Sequence, residues 1–341
     1  MRAGEEAFFV SADDAMSVRQ VALLLTAGVF VLAGCSRATQ KDVLYEFEMG
    51  GTTITVIGVM HVLPERISRL SGETLRRFEE CDRLATELDP STDLDVLRAR
   101  FFDLGRSLPT LSYSAPHLAQ RLRVLLLSRG FSPEKVDETI GAPLVVVYRT
   151  LEQIAMVAPD RSSEKFAIGP DSQLIAENAA RGGTNLFLET VDDYVLGELS
   201  QQPAMLLTKI EKQLDLAEQV SSVDSWRGSY EALLSSYVQG DANQVYEQLE
   251  KGYVEKYEIT GALADEMNRR NAGMVSQIAK MAQDGRCLVV AIGVGHLGGP
   301  RGVLAELQNA YGAKPVEHGP QSSSKTVQPY PSSTAGSRNA R

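Results

Sequence analysis

The chain has 341 residues, of which 43% are hydrophobic and 23% are charged, the profile of a globular protein with one large core or two modest ones. This composition excludes a fibrous protein and a chain that lies in a membrane throughout. Acidic residues outnumber basic ones by 44 to 34, giving a formal net charge of −10. Because nucleic-acid binding depends on clustered Lys and Arg, and no basic stripe occurs, we expect no nucleic-acid partner.

The beginning of the chain has the pattern of an export signal. The apolar run at 21–33 is too short to span a membrane as a helix and has the length of a signal-peptide core. It ends in Leu32-Ala33-Gly34-Cys35, which resembles a bacterial lipobox, in which the cysteine is acylated before cleavage. A short buried helix is the alternative, but no amphipathic periodicity supports it. We predict a signal peptide over 1–35, lipidation at Cys35 and a tether at 36–42.

Lipidation at Cys35 predicts a protein of the bacterial cell envelope, held to a membrane by its N-terminal lipid. Ser36 is compatible with sorting to the outer membrane, with the protein facing the periplasm. Cys81 and Cys287 then remain, and both lie beside predicted strands. An oxidising envelope permits disulfides, but sequence does not show proximity, so these two are either buried thiols or a bridge.

The first predicted elements form a β-α-β pattern. Residues 43–60 are predicted to form a hairpin, because apolar and acidic residues alternate before the turn at Gly50-Gly51 and an apolar run follows it. Pro64 is predicted to open a helix whose apolar face extends to Phe78. The run R-L-A-T-E-L-D that follows is predicted to be a strand stopped by Pro90.

The remaining elements alternate between long helical stretches and short strands. Helical periodicity fills about 94–158 and about 192–283. Between them lie K-F-A-I, a helix and the strand T-N-L-F-L-E-T, and the chain closes with the strand R-C-L-V-V-A-I-G, a helix at 300–310 and an edge strand at 314–317. The tail at 319–341 is predicted to be disordered. The predicted fold of 43–318 is α/β: a central mixed β-sheet built from β-α-β units, with two large helical insertions.

Two histidines follow predicted strands in the same way. An apolar run leads through Gly-Val-Met to His61, and another leads through Gly-Val-Gly to His296. Glycine lets the backbone turn sharply after a buried strand, so each imidazole is expected where the sheet meets solvent. In α/β folds, ligands bind outside the carboxyl ends of strands. His117 and His318 lack this setting and are predicted to be surface residues.

Carboxylates follow two further strands, at Glu87 and Glu189. If the four strands are neighbours, two imidazoles and two carboxylates converge on one edge, a normal donor set for a divalent transition metal. The alternative is that each histidine is hydrogen-bonded to a loop and each glutamate is solvated or salt-bridged. Any one of these four residues, taken alone, would favour that alternative. Their occurrence together at the ends of four predicted strands favours a metal site.

The ordered set of these motifs resembles the TraB/GumN family, which includes the Tiki-like proteins. The matching segments are G-V-M-H, E-L-D, G-P-D, L-F-L-E-T, R-R-N and V-V-A-I-G-V-G-H-L-G-G, spread over about 43–317. The resemblance implies a fold similar to those of erythromycin esterase and ChaN-type proteins, and an activity similar to the divalent-metal-dependent peptidases among Tiki proteins. It implies that His61 and His296 bind Mn, Co or Zn, that Glu87 and Glu189 are metal ligands or a general base, and that Arg270 stabilises developing negative charge.

Two positions depart from the family pattern. Val59 stands where the family usually has threonine, and Arg269 stands where the family has the glutamate of E-R-N. The motifs together predict a metal-dependent hydrolase, peptidase-like, acting on a peptide or other small substrate. The alternatives are a lipid-anchored protein that binds a peptide, haem or saccharide without turnover, and a regulatory interaction protein. The chain contains no H-E-x-x-H helix and no G-x-S-x-G elbow, which excludes those two hydrolase patterns.

Overall fold

A computed structural model describes residues 41–89, 94–156, 166–218, 222–257 and 262–316. The predicted signal peptide, the lipobox with Cys35, most of the tether, the tail and His318 lie outside these residues. The strands are β1 (Val43–Met49), β2 (Thr52–Val59), β3 (Val62–Pro64), β4 (Arg83–Thr86), β5 (Phe166–Ile168), β6 (Thr184–Phe187), β7 (Leu288–Gly293) and β8 (Lys314–Pro315).

Helices account for most of the rest of the described chain. They are α1 (Gly72–Glu79), α2 (Leu94–Gly105), α3 (Leu111–Ser114), α4 (Pro116–Ser128), α5 (Pro133–Ile140), α6 (Leu144–Met156), α7 (Pro170–Ala180), α8 (Val191–Leu199), α9 (Pro203–Glu218), α10 (Ser222–Val238), α11 (Ala242–Tyr257), α12 (Ala262–Met281) and α13 (Val303–Tyr311). Among the described residues, no helix combines the length and apolar character needed to cross a membrane.

The main sheet confirms the predicted α/β class. Its strand order is β6-β4-β7-β2-β1-β8, and β6, β4, β7 and β2 are mutually parallel. β1 pairs antiparallel with β2 on one side and with the edge strand β8 on the other, so the sheet is mixed, as predicted. Because the four parallel strands all point the same way, their carboxyl ends lie at one edge.

The apolar runs of β2 and β7 are buried on both faces of the sheet. On one face Ile54 and Val290 pack beneath α10 to α13, and on the other Ile57 and Val289 pack beneath α1 and α7. Continuous apolar sequence is typical of strands covered on both sides. The central strands are therefore held in a three-layer α/β/α arrangement that fixes where they end.

The two predicted helical insertions do not remain separate. Side chains of α3 to α6 share one apolar cluster with side chains of α8 and α9, including Leu122, Tyr148, Val195 and Ile210. The helices α10 to α12 instead cover the main sheet. The second predicted insertion is thus divided, with its first part completing a helical layer begun by the first insertion.

One local prediction is wrong. Pro64 does not open a helix: it ends β3, a 3-10 turn follows, and α1 begins only at Gly72, where the Ser71 hydroxyl accepts from the Thr74 N–H at 3.3 Å. Phe166–Ile168 form β5, which pairs with β3 in a separate two-stranded sheet. At Pro64, backbone pairing between these distant segments overrides the local helical pattern.

Cys81 and Cys287 form a disulfide, which settles the choice that the sequence left open. Their Cα atoms lie 5.7 Å apart across a sequence separation of 206 residues. The cysteines precede β4 and β7, so the bond joins two adjacent parallel strands at their amino ends. It lies at the edge of the sheet opposite to the carboxyl ends.

Removing this disulfide should destabilise the fold without touching the opposite edge. For the double variant Cys81→Ser/Cys287→Ser we expect the free energy of unfolding to fall by about 2 to 4 kcal/mol, because the unfolded chain regains the freedom that the cross-link removed. Denaturant unfolding with and without reductant measures the change. A reductant effect of equal size on the double variant would show that the bond is not its cause.

Candidate functional site

Four side chains that follow the parallel strands meet at one edge of the main sheet. His61 follows β2, Glu87 follows β4, Glu189 follows β6, and His296 lies in a 3-10 turn directly after β7. The loops after β4 and β6 remain paired, since the Glu189 N–H donates to the Glu87 carbonyl at 2.9 Å. A capping box between Thr190 and Asp193 then begins α8 immediately after Glu189.

Glu87 is the centre of this cluster. One carboxylate oxygen lies 3.8 Å from His61 Nε2, and the other lies 3.8 Å from His296 Nε2. The Gly293 N–H donates to Glu87 Oε1, and Arg270 Nη2 donates to Glu87 Oε2 at 2.7 Å. The two histidines predicted from sequence thus approach the same carboxylate through their Nε2 atoms.

His61 is held from behind by Asp171, a residue to which the sequence analysis gave no role. Asp171 Oδ2 lies 3.0 Å from His61 Nδ1. The approach is possible because Gly169 precedes α7: its N–H donates to the His61 carbonyl at 2.7 Å, and a Cβ there would lie 2.2 Å from the Met60 carbonyl oxygen. The sequence signal that could have pointed to Asp171 is its place directly after Gly169-Pro170, in the first turn of α7.

His296 is held in a corresponding way by Asn271 of α12. Asn271 Oδ1 lies 2.7 Å from His296 Nδ1, and Asn271 Nδ2 donates to the Arg301 carbonyl at 2.9 Å. Because the amide donates to a carbonyl, its oxygen is left to accept from His296 Nδ1, which makes Nε2 the unprotonated nitrogen of the neutral ring. The His296 side chain is 5% exposed and the His61 side chain is 58% exposed, so the cluster opens to solvent on the His61 side.

Arg270 of α12 joins the two glutamates. Its Nε and Nη2 atoms donate to the Glu189 carboxylate at 2.6 to 3.1 Å, and Nη2 also donates to Glu87. The guanidinium carbon lies 5.2 Å from the ring centroid of Tyr194 on α8. The buried Arg270 guanidinium therefore forms ion pairs with two buried carboxylates, and the Tyr194 ring packs against the face of the guanidinium.

The surroundings of Glu87 and Glu189 shift the pKa values of the two carboxyl groups in opposite directions. Burial alone would raise the pKa of Glu87, but His296, Arg270, His61 and the Gly293 N–H together lower it to about 2. Burial raises the pKa of Glu189, and the hydrogen bonds from Arg270 offset only part of that effect. Glu87 is therefore the strongly ionised carboxylate, while Glu189 accepts a proton more readily.

The donor types at this edge fit a divalent transition metal. Two Nε2 atoms and the Glu87 carboxylate are nitrogen and oxygen donors, and each histidine makes the outer hydrogen bond through Nδ1 that metal-bound histidines normally make. Two donors bound to one ion at about 2.1 Å lie roughly 3.4 Å apart at a tetrahedral angle, close to the 3.8 Å found here. Within the described ranges, no three His, Cys, Asp or Glu side chains already form a metal-binding group.

Gly293 keeps the centre of the cluster open. A Cβ at this position would lie 2.9 Å from Glu87 Oε1, 3.5 Å from His296 Cδ2 and 3.6 Å from His61 Nε2. We expect Gly293→Ala to displace the Glu87 carboxylate and lower metal affinity by about 10- to 100-fold, as outer-sphere changes do. Titration calorimetry with Mn²⁺, Co²⁺ or Zn²⁺ measures this change. Gly273→Ala on α12, where a Cβ would meet nothing within 4 Å, is the matched control.

Both departures from the family pattern lie outside the cluster. Val59 is 1% exposed and packs in the apolar cluster beneath α1 and α7. Arg269 is exposed, and its Nη1 atom donates to the Gly197 carbonyl at 3.2 Å. His117 is exposed on α4, as expected for a surface residue. The departures therefore leave the contacts around Glu87 in place.

Comparison with known proteins agrees with the ordered motifs. Searches of curated proteins and of solved structures found no significant match. The model of the TraB/PrgY/gumN family matches residues 43–311, which include all the strands that end at the cluster as well as α12. This match extends over most of the chain, and the chain therefore belongs to the TraB/PrgY/gumN family.

Proposed function

We propose that this protein is a divalent-metal-dependent hydrolase with peptidase-like activity, held in the cell envelope by a lipid on Cys35. The observation that carries the proposal is that two histidine Nε2 atoms approach one buried, strongly ionised carboxylate, Glu87. Asp171 and Asn271 engage the opposite nitrogens, so both rings are oriented before any ligand binds. Family membership supports the same chemistry.

The residues of the cluster would have different roles in hydrolysis. His61, His296 and Glu87 would hold the ion, and when bound it supplies Lewis-acid chemistry that polarises a carbonyl and makes water more acidic. Glu189, whose pKa is raised by burial, would take the proton from the attacking water. Arg270 orients both carboxylates and would stabilise negative charge developing on the substrate.

Elemental analysis combined with a peptide library tests this function. We expect the purified full-length protein in detergent to hold close to one divalent ion per chain and to cleave peptides. Chelation should remove the activity, and added Mn²⁺, Co²⁺ or Zn²⁺ should restore it. Absence of both metal and cleavage would contradict the proposal, and saturable binding of a peptide, haem or saccharide without turnover would favour a binding protein.

A further inference from the structure

The chain enters the domain at the same edge of the sheet as the candidate active site. Because β1 is antiparallel to β2, its first residue Val43 pairs with Gly58, near the carboxyl end of β2. Gly58 in turn pairs with Ile292, next to the carboxyl end of β7. Asp42 and Lys41, which precede Val43, therefore lie towards His61 and away from the hairpin turn at the opposite edge.

The entry point is fixed to the body of the domain. The Lys41 N–H donates to the Val238 carbonyl at 3.1 Å, and Asp42 Oδ2 accepts from the Ser71 N–H at 2.6 Å. Gly240 packs so closely on this segment that a Cβ there would lie 2.8 Å from the Asp42 carbonyl oxygen. The chain is thus anchored to the fold from Lys41 onward.

Covalent geometry limits how far this edge can stand from an anchor at Cys35. Only residues 36–40 separate Cys35 from Lys41, and six residue steps reach at most about 22 Å whatever conformation they adopt. β1 lies two strand spacings, about 10 Å, from β7. A domain of this size has a radius of gyration of about 19 Å and a diameter near 50 Å, so the site cannot lie on the side away from the anchor.

We propose that the lipid on Cys35 holds the edge bearing His61 towards the membrane, so that the substrate is a polypeptide presented at the membrane surface. The substrate class rests on the proposed hydrolase function, whereas the orientation rests only on the strand register and on lipidation of Cys35. A peptide bond carried by a membrane-attached protein reaches this edge within a few tens of ångströms of the bilayer. A soluble peptide gains no such advantage.

Energy transfer from two labelled positions to a headgroup dye tests the orientation without any assay of activity. Glu65 is exposed four residues after His61, and Thr53 is exposed near the hairpin turn, about 20 Å from Val59 at the carboxyl end of β2. In full-length protein bound to vesicles of phosphatidylethanolamine and phosphatidylglycerol, transfer from dye on Glu65→Cys should be several-fold stronger than from dye on Thr53→Cys. Equal transfer, or stronger transfer from the Thr53 position, would overturn the proposal.

Two controls separate the anchor from other causes. Cys35→Ser should abolish vesicle binding, and retention of binding by that variant would also overturn the proposal. Inserting about 30 Gly and Ser residues after Ser36 lengthens the tether by a root-mean-square distance of roughly 30 Å and should remove the difference between the labels. A difference that survives this insertion would mean that the tether does not set the orientation.

A fluorogenic peptide, coupled to lipid or free, tests the substrate class. The lipid-coupled form should be cleaved faster by the native protein, and the preference should shrink with the lengthened tether. Equal rates for the two forms would overturn the substrate class. Absence of cleavage of both forms, with the label difference retained, would be a failure of the proposed hydrolysis and not of the orientation.

Discussion

Replacing His61 or His296 with alanine should remove the metal ion and the hydrolytic activity together. Each ring contributes one of the two nitrogen atoms that approach Glu87, so either substitution takes away one donor of the proposed set. A bound divalent ion supplies several kcal/mol of transition-state stabilisation, so we expect kcat/KM to fall by at least about 1,000-fold. Elemental analysis and the rate of peptide cleavage would be measured on the same folded samples.

The control for these substitutions is His117→Ala, because His117 is exposed on α4. This variant should keep both its metal and its activity. His61→Ala is the cleaner of the two site variants, since the His61 ring is largely exposed while His296 is buried and bonded to Asn271. Retention of stoichiometric metal by the double variant His61→Ala/His296→Ala would refute the ligand assignment.

Arg270→Met should cause the largest loss of stability of any single substitution at the site. The arginine is the cation between Glu87 and Glu189, whose side chains are 11% and 6% exposed. Its removal takes the guanidinium away from two neighbouring buried carboxylates, and breaking such a buried pair typically costs about 3 to 5 kcal/mol. Denaturant unfolding at neutral pH in the presence of a chelator would measure the change in the free energy of unfolding.

Arg269→Met is the matched control, since it removes an arginine one position away that is exposed and donates to the Gly197 carbonyl. We expect this variant to lose less than about 1 kcal/mol. Adding Glu189→Gln to Arg270→Met should recover part of the lost stability, because it removes one of the two buried negative charges. If Arg269→Met and Arg270→Met proved equally destabilising, the cause would not be the paired carboxylates.

The central strands could be predicted from the sequence because burial on both faces requires long apolar runs, which are easy to recognise. Strands covered on both faces carry apolar residues on both faces, and the runs I-T-V-I-G-V, ending at Val59, and L-V-V-A-I-G, ending at Gly293, are close to that pattern. Each run contains a glycine at or next to its end and is followed within three residues by histidine, so both the strand and the point where it meets solvent could be located. Glu87 and Glu189 followed from the same argument.

The error at Pro64 has a different origin. Proline fits both the first turn of a helix and the end of a strand, and the apolar residues after it satisfied a helical spacing. What decided the outcome was pairing of residues 62–64 with residues 166–168, about a hundred positions away. Local periodicity contains no information about that partner.

Asp171 and Asn271 show what sequence reasoning missed within the site. Both act through helices, α7 and α12, that cross the strand ends and bring a polar side chain against the far nitrogen of each histidine. Their positions depend on where each helix packs over the sheet. The motifs G-P-D and R-R-N marked both residues, but neither motif indicated which ring each residue would contact.

The two ends of the described chain lie close together on the antiparallel side of the sheet. The Val316 N–H donates to the Glu46 carbonyl at 2.9 Å, and Val43 stands three residues further along the same strand, a rise of about 10 Å. A short linker could close this gap while the polypeptide is opened at the exposed Gly50-Gly51 turn. Such a circular permutant would keep every strand pairing but carry its new termini on the far rim. We therefore expect the permutant to reach the same fold although its strands are synthesised in a different order.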